Sequence, residues 1–320
     1  MPKVAVVGVV GRTNAGKSTL VNQLVGEKVS IVSPVEQTTR NTIRGIVAES
    51  RGQLVLLDTP GLHKAVGPLG TLLNRMARRS AAGTDITCVV FDAAREPQLE
   101  DVGWMQRVAK EKPEKVVFVL NKADRAPFFE SMYKDKWREC LEGLEDARVE
   151  GSTATSQTCQ TSAPAPSPVW VKCIATTEGG AKGVLDALFG LAEEGEKLFD
   201  DDIATDYPRK LAIADSVREK YLAKMHQEVP HEMGILVKRI KESRDRWDVS
   251  VEVLVNRASQ KPIVIGKGAQ TVKYVRKCSE RELSDMFGVK VVLEIWVRVE
   301  PGWMKDRRLL AEMGYLGDLV

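Results

Sequence analysis

Nowhere in the 320 residues does an apolar run approach the ~18 that a helical membrane span needs. The five cysteines (Cys88, Cys140, Cys159, Cys173, Cys278) contain no C-x-x-C pair. An odd, scattered set of this kind reads as reduced thiols, not as a disulfide or zinc framework. Histidine is scarce, and His63, His226 and His231 form neither a catalytic triad nor a metal-ligand spacing. The apolar stretch before Gly11 lacks the small-residue cleavage site of a signal peptide. Charge of one sign is also lacking: 47 Lys and Arg against 44 Asp and Glu leave +3, too little to imply a polyanion partner unless the charge is local. A cytosolic protein is expected.

What is present is ordinary globular material, 43% apolar and 28% charged, with length enough for more than one domain. Up to about Lys197, short apolar runs alternate with amphipathic stretches. Val4–Val10, Leu54–Leu57, Thr87–Asp92, Lys115–Leu120 and Val169–Ile174 read as strands, and Ser18–Val25 and Asp101–Lys110 as helices. Such alternation predicts an α/β domain with a mostly parallel sheet, covering residues 1–200. A Ser/Thr/Ala/Pro-rich insertion at about 148–168 interrupts it, with too little apolar surface to order itself. An acidic, Pro-containing stretch over 201–210 reads as a linker. After it the rhythm changes. Leu211–Met225 and Thr271–Phe287 are predicted helices, Ile235–Lys241 and Asp248–Asn256 a hairpin, Val289–Val299 a strand and Arg307–Glu312 a helix. Residues 211–320 thus form a smaller α+β domain with a C-terminal tail.

Gly11-Arg12-Thr13-Asn14-Ala15-Gly16-Lys17-Ser18 fits G-x-x-x-x-G-K-[ST] between a predicted strand and helix. Backbone amides from Gly11 through Thr19, Ala15 and Gly16 among them, would converge on phosphates at a helix N-terminus. Lys17 would reach the β- and γ-phosphates, and the Ser18 hydroxyl would ligate Mg²⁺. The loop alone does not separate GTPases from ATPases. Asn121-Lys122-Ala123-Asp124 does, because a carboxylate at Asp124 accepts from guanine N1–H and the exocyclic amine. Adenine would leave it unpaired, and sites of this kind discriminate by roughly 10⁴-fold or more. Asp58-Thr59-Pro60-Gly61 follows a predicted strand; Asp58 suits the Mg²⁺ shell and the Gly61 amide can sense a γ-phosphate. Within Gln37-Thr38-Thr39-Arg40, a threonine hydroxyl would complete the Mg²⁺ shell, with Thr39 the first choice and Thr38 the fallback. Leu62 stands where Ras-like enzymes carry a water-orienting Gln, so hydrolysis is expected to be slow, or helped by Asn14 through a monovalent cation such as K⁺. A P-loop phosphotransferase is the rival enzyme class, disfavoured by Asn121–Asp124 and the lack of an Arg-rich lid.

These motifs in this order, with Val264-Ile265-Gly266-Lys267, Trp296-Val297, Gly302-Trp303 and Gly314-Tyr315 near the C-terminus, closely resemble the Era family of ribosome-assembly GTPases. The resemblance implies a P-loop G domain followed by a KH domain of the type II arrangement. It also implies GTP and GDP as ligands, binding to the 3′ region of 16S ribosomal RNA and to the small ribosomal subunit, a role in 30S assembly, and peripheral membrane contact. A monomer is expected. The family's Ser-Ala guanine loop corresponds to Ala175-Thr176, where a backbone amide would meet guanine O6. The RNA-binding loop corresponds to Gly266-Lys267-Gly268-Ala269, with Ala at the last position where the family has Gly. Lys273, Arg276 and Lys277 on the following helix would supply positive charge to a single-stranded RNA backbone, over an apolar floor of Ile263, Ile265, Val272 and Val275. The same residues also fit an ordinary solvated helix face and core. Trp296 and Trp303 read as packing residues. The alternative function is a nucleotide-gated RNA or membrane interaction protein with negligible turnover.

Overall fold

Branched apolar residues crowd the strand runs before about Lys197, the pattern of strands covered on both faces, and helices supply the covers. A computed structural model describes residues 1–32, 40–61, 67–81, 83–150, 167–225 and 232–316. The elements, in chain order, begin with β1 (Lys3–Val10), α1 (Lys17–Val25), β2 (Ile43–Glu49), β3 (Gly52–Asp58), α2 (Gly67–Ala81) and β4 (Ile86–Asp92). They continue with α3 (Leu99–Glu111), β5 (Val116–Asn121), α4 (Glu130–Glu150), β6 (Val169–Lys172), α5 (Lys182–Leu191) and β7 (Glu193–Glu194). Then come α6 (Arg209–Lys224), β8 (Gly234–Glu242), β9 (Arg246–Val255), α7 (Gln260–Ile265), α8 (Gln270–Phe287), β10 (Lys290–Val299) and α9 (Arg307–Glu312). They form two compact units: Met1–Ser30, Thr42–His63 and Ala77–Thr205 make the first; Ile31–Asn41, Lys64–Met76 and Asp206–Val320 make the second.

In the first unit the sheet order is β2-β3-β1-β4-β5-β6, with β7 on the start of β1. All neighbours from β3 to β6 are parallel; β2 is antiparallel to β3. One face packs Ala5, Val7 and Val9 against Leu20 and Val21 of α1 and Val184 and Leu188 of α5. The other packs Val89, Phe91 and Phe118 against Trp104 and Val108 of α3 and Tyr133 and Trp137 of α4. Register sets Val9 beside Asp58 and Asp92 beside Asn121, so the carboxyl ends of four strands come together, where ligands of such sheets bind. The acidic stretch expected as a linker, with the residues just before it, is tied to β2 and β3 at four points. The Gln53 side chain accepts from the Leu198 and Phe199 amides, the Ile46 amide donates to Ala204 O at 2.8 Å, and Thr205 Oγ1 donates to Arg44 O at 2.6 Å. Most of the expected insertion, 151–166, lies outside the described residues.

In the second unit β9 lies between antiparallel β8 and parallel β10, with a bulge between Val237 and Arg239. A parallel neighbour needs a crossover, and α7 and α8 provide it. Ile213, Val217 and Tyr221 of α6 and Val275 and Leu283 of α8 bury one sheet face with Val249, Val251 and Leu293. On the other, Leu236 and Leu254 pack with Trp303, Leu309, Leu310 and Met313, and with Leu69 and Leu73 of α2. Arg40, fully buried, donates from Nη1 to Met233 O at 2.9 Å, and the Val32 amide donates to Glu219 Oε1 at 3.0 Å. Asn41 Nδ2 donates to Tyr207 Oη at 2.9 Å and to Met313 O at 3.2 Å. Trp303 packs as read, but Trp296 is 60% exposed, because its position on β10, paired with Glu252, faces away from the core. Among the described residues no helix is long and apolar enough to cross a membrane.

Candidate functional site

Gly11 follows β1, and Lys17 opens α1 behind Gly16, whose left-handed φ of 99° turns the chain into the helix. Lys17 is 6% exposed and its Nζ donates to Gly11 O (3.2 Å) and Arg12 O (2.9 Å). Burial lowers its pKa to about 8; Asp58 opposes that shift and the Arg12 charge adds to it. Ala15 is buried, Asn14 is exposed with φ 60°, and Ser18 and Thr19 lie half-buried in the first turn of α1.

Asp58 ends β3 with no exposure. Its Oδ2 accepts from Ser30 Oγ at 2.8 Å, while Oδ1 is buried with no hydrogen-bond partner among the described residues. Burial raises its pKa, opposed by Lys17 and by hydrogen bonds from Ser18 and Ser30. An orphaned carboxylate oxygen close to a serine hydroxyl fits a hydrated divalent cation, which would pull that pKa back down. Thr59 Oγ1 donates to Val9 O at 2.9 Å and so fixes the chain that leads to Gly61. A Cβ on Gly61 would fall 2.7 Å from Thr13 N and 2.9 Å from Lys17 Nζ, so only glycine lets this strand end lie against the phosphate loop. Gln37, Thr38, Thr39, Leu62 and His63 lie outside the described residues.

Asn121 and Lys122 tie the third loop to the first. The buried Asn121 Nδ2 donates to Ala15 O at 2.9 Å, and its Oδ1 accepts from the Ala175 amide at 3.2 Å. Lys122, at φ 63°, donates from Nζ to Asn14 O (3.0 Å) and to Asp92 Oδ2 (2.7 Å). Asp124 and Thr176 are exposed. Four residues absent from the sequence-based site belong to this framework: Arg12, Ser30, Asp92 and Asp101. Asp92 had a signal, since it ends a predicted strand at the edge where ligands bind. Ser30 had none.

The glycine-rich turn of the second unit joins α7 to α8. Gly266 has φ 78°, Gly268 φ 57° and Ala269 φ 60°, so the alanine does take the left-handed conformation. Lys267, Lys273, Arg276 and Lys277 are exposed on this turn and the first turns of α8; Arg276 Nε lies 4.0 Å from Glu280. Of the expected apolar floor, Val275 is in the core and Ile263 is 53% exposed.

A loop that grips Ala15 of the phosphate loop while holding Asp124 out to solvent makes the first unit a GTPase domain of the P-loop class. The 50S ribosome-binding GTPase family matches residues 6–122, and the KH domain family matches residues 228–304. GTPase Era of Geobacter sp. strain M21 is 35% identical over 311 residues, 97% of this chain and 96% of its own. A crystal structure of Era in complex with MgGDPNP and nucleotides 1506–1542 of 16S ribosomal RNA is 29% identical. It aligns with a TM-score of 0.82 over 98% of this chain and 99% of that one. An Aquifex aeolicus Era variant bound to GDP and aluminium fluoride, also 29% identical, aligns at 0.81 over the same shares. The chain belongs to the Era GTPase family.

Proposed function

We propose that this GTPase is a switch that, loaded with GTP, binds the 3′ region of 16S ribosomal RNA and assists assembly of the small ribosomal subunit. The observation that carries the reading is where the chain changes units. It does so directly after Ser30, which bonds Asp58, and again between Gly61 and Gly67. Of the stretches that follow, Val32, Arg40 and Asn41, and then Leu69 and Leu73, pack within the KH-containing unit. Groups that read phosphate and metal are thus covalently next to segments of the RNA-binding unit, and a ligand that favours one arrangement of those segments shifts the population of the whole. Relatives solved with MgGDPNP and 16S RNA, and with GDP and aluminium fluoride, support the ligands named.

In this reading the amides of Gly11 through Thr19 bind phosphates, and Lys17 neutralises the β- and γ-phosphates. Ser18, Asp58 and Thr39 hold Mg²⁺, which when bound spreads the charge that develops on the phosphates. The Gly61 amide meets the γ-phosphate. Asp124 selects guanine, and Thr176 offers its amide to O6 because the Ala175 amide is taken by Asn121. Leu62 cannot orient water, and Asn14 assists through K⁺. Lys267, Lys273, Arg276 and Lys277 contact RNA phosphates around Gly266–Ala269. The protein works as a cytoplasmic monomer with peripheral membrane contact.

The test pairs Lys273→Glu, Lys277→Glu with phosphate-release assays. The double variant is expected to keep GTP binding and lose RNA, each lost phosphate contact flattening the slope of log affinity against log salt by roughly 0.7. Unchanged RNA affinity in the folded variant refutes the RNA site. Phosphate release is expected to be faster in K⁺ than in Na⁺; no release in either salt favours the nucleotide-gated binder without turnover.

A further inference from the structure

Behind the phosphate loop lies a buried charge cluster that the proposed roles leave unused. Arg12 is the second residue of the loop, and its guanidinium is engaged by buried carboxylates. Its Nε donates to Asp101 Oδ2 at 3.1 Å, and Nη2 lies 3.3 Å from Asp92 Oδ2, in ion-pair range but not aligned for a hydrogen bond. Asp101 is fully buried at the third position of α3, where it also accepts from the Gln98 amide at 3.0 Å, and Tyr133 Oη lies 3.4 Å away. Asp92 Oδ2 is the same oxygen that accepts from Lys122 Nζ, and Lys122 in turn reaches back to Asn14 O. The ring therefore closes: phosphate loop, Arg12, Asp92, Lys122, phosphate loop.

We infer that Arg12 is a positioning residue that couples phosphate recognition to guanine recognition. It holds Asp92 in the place from which that carboxylate orients Lys122. Asp101 anchors the guanidinium on one side and the anchored charge draws Asp92 on the other, with burial making both attractions count. A planar fork reaches both acids at once, which a lysine does not. The same geometry assigns Arg12 no part in phosphoryl transfer, because its charged end is already engaged by Asp101 and lies beside Asp92. A carbonyl set by Arg12 also receives the Lys17 ammonium, so the arrangement reaches both ends of the nucleotide. The inference rests on reading Lys17 and Asp124 as the two ends of that site.

The experiment is a cycle of Arg12→Gln and Lys122→Met in the full chain, read by stopped-flow release of a fluorescent GDP analogue and by single-turnover cleavage of bound GTP. Each single variant is expected to release GDP faster, and the double variant no faster than the faster single. The missing increment should be roughly threefold to a hundredfold, the span measured for residues in one network. Cleavage of bound GTP should change less than release does. Arg12→Lys should recover part of the affinity. Asp101→Asn, which keeps side-chain size, should speed release in the same direction even if Arg12→Gln fails to fold. Additive release rates in folded variants overturn the coupling, as does parental release from folded Asp101→Asn. A loss of 10³-fold or more in cleavage with unchanged release would make Arg12 an agent of the chemistry and overturn the assignment. If the unaltered chain binds no guanine nucleotide, the site reading itself falls, and that result is distinct from additivity.

Discussion

Ala269 takes φ 60° and ψ 25° at the head of α8, directly after Gly268 at φ 57°. A residue with a Cβ pays ~1–2 kcal/mol in that conformation relative to glycine. Ala269→Gly removes the strain but gives the unfolded chain more freedom, which returns about 0.4–1 kcal/mol. The net expectation is a gain of about 0.5–1 kcal/mol for the second unit. For folding units of 150–250 residues, 1 kcal/mol moves Tm by roughly 2–4 °C, so a rise of about 1–4 °C should appear by scanning calorimetry. Two companion variants calibrate the reasoning. A Cβ at Gly268 would meet nothing within 4 Å, so Gly268→Ala should cost only the backbone strain. A Cβ at Gly266 would fall 2.8 Å from Thr271 N, so Gly266→Ala should cost more than Gly268→Ala. The order of melting temperatures is then Ala269→Gly, parent, Gly268→Ala, Gly266→Ala. If Ala269→Gly lowers stability, or Gly268→Ala is neutral, the left-handed turn is wrong. RNA affinity should rise alongside stability in Ala269→Gly, because a methyl leaves the place where backbone would approach a phosphate.

Asp124→Asn should shift preference from guanine to xanthine nucleotides, since an acceptor oxygen becomes a donor amide; parental GDP affinity in that variant would remove Asp124 from the base site. Burial pushes the pKa of the Lys17 ammonium down to about 8, and bound phosphates would keep it protonated, so nucleotide binding should take up a proton above that pH. Affinity should be flat below pH 8 and fall by up to tenfold per unit above it, while stability of the free protein rises from pH 8 towards 10.5 because the unfolded lysine binds more protons. Calorimetric titrations in buffers of different ionisation enthalpy read the proton count, and affinity flat to pH 9.5 would refute it. Arg40→Ala should destabilise the second unit by about 1–3 kcal/mol, because it leaves the buried Met233 O without the donor that Arg40 supplies. A denaturation midpoint within experimental error of the parent would remove Arg40 from the core of that unit.

Most of the first unit was legible because its strands are apolar runs of β-branched residues and its loops carry motifs whose chemistry demands a strand before and a helix after. The antiparallel β2 was not, since Ile43–Glu49 alternates weakly and gains strand character only from pairing with β3. Helices α2 and α4 escaped for a related reason: charged residues surround their apolar stripes, and tertiary packing decides them. In the site, motif residues were readable and their supports were not. Lys122 announces itself through Asn121–Asp124, whereas Asp92 and Asp101 become neighbours only when β4 and α3 fold. A buried carboxylate that orients another side chain has no spacing of its own.

The same limit bears on the boundaries. A reading along the chain divides it where composition changes, near the acidic stretch, because covalent order is all that it has. Packing divides it by what each segment buries. Leu69 and Leu73 find their apolar partners in Trp303 and Leu309, and Arg40 and Asn41 find carbonyls and a hydroxyl at Met233, Met313 and Tyr207. Both stretches therefore fold with residues more than a hundred positions further on. Thr205, by contrast, remains with β2 through its bond to Arg44 O. The acidic stretch is thus a strap along a strand edge as far as Thr205. The proposed switch would instead run through the junction after Ser30, whose hydroxyl bonds Asp58. Ser30→Ala, which removes a hydrogen bond to Asp58 Oδ2 and leaves the phosphate loop and Asn121–Asp124 unaltered, should accordingly weaken the GTP dependence of RNA binding more than it weakens RNA binding itself, and equal losses of the two would refute the coupling.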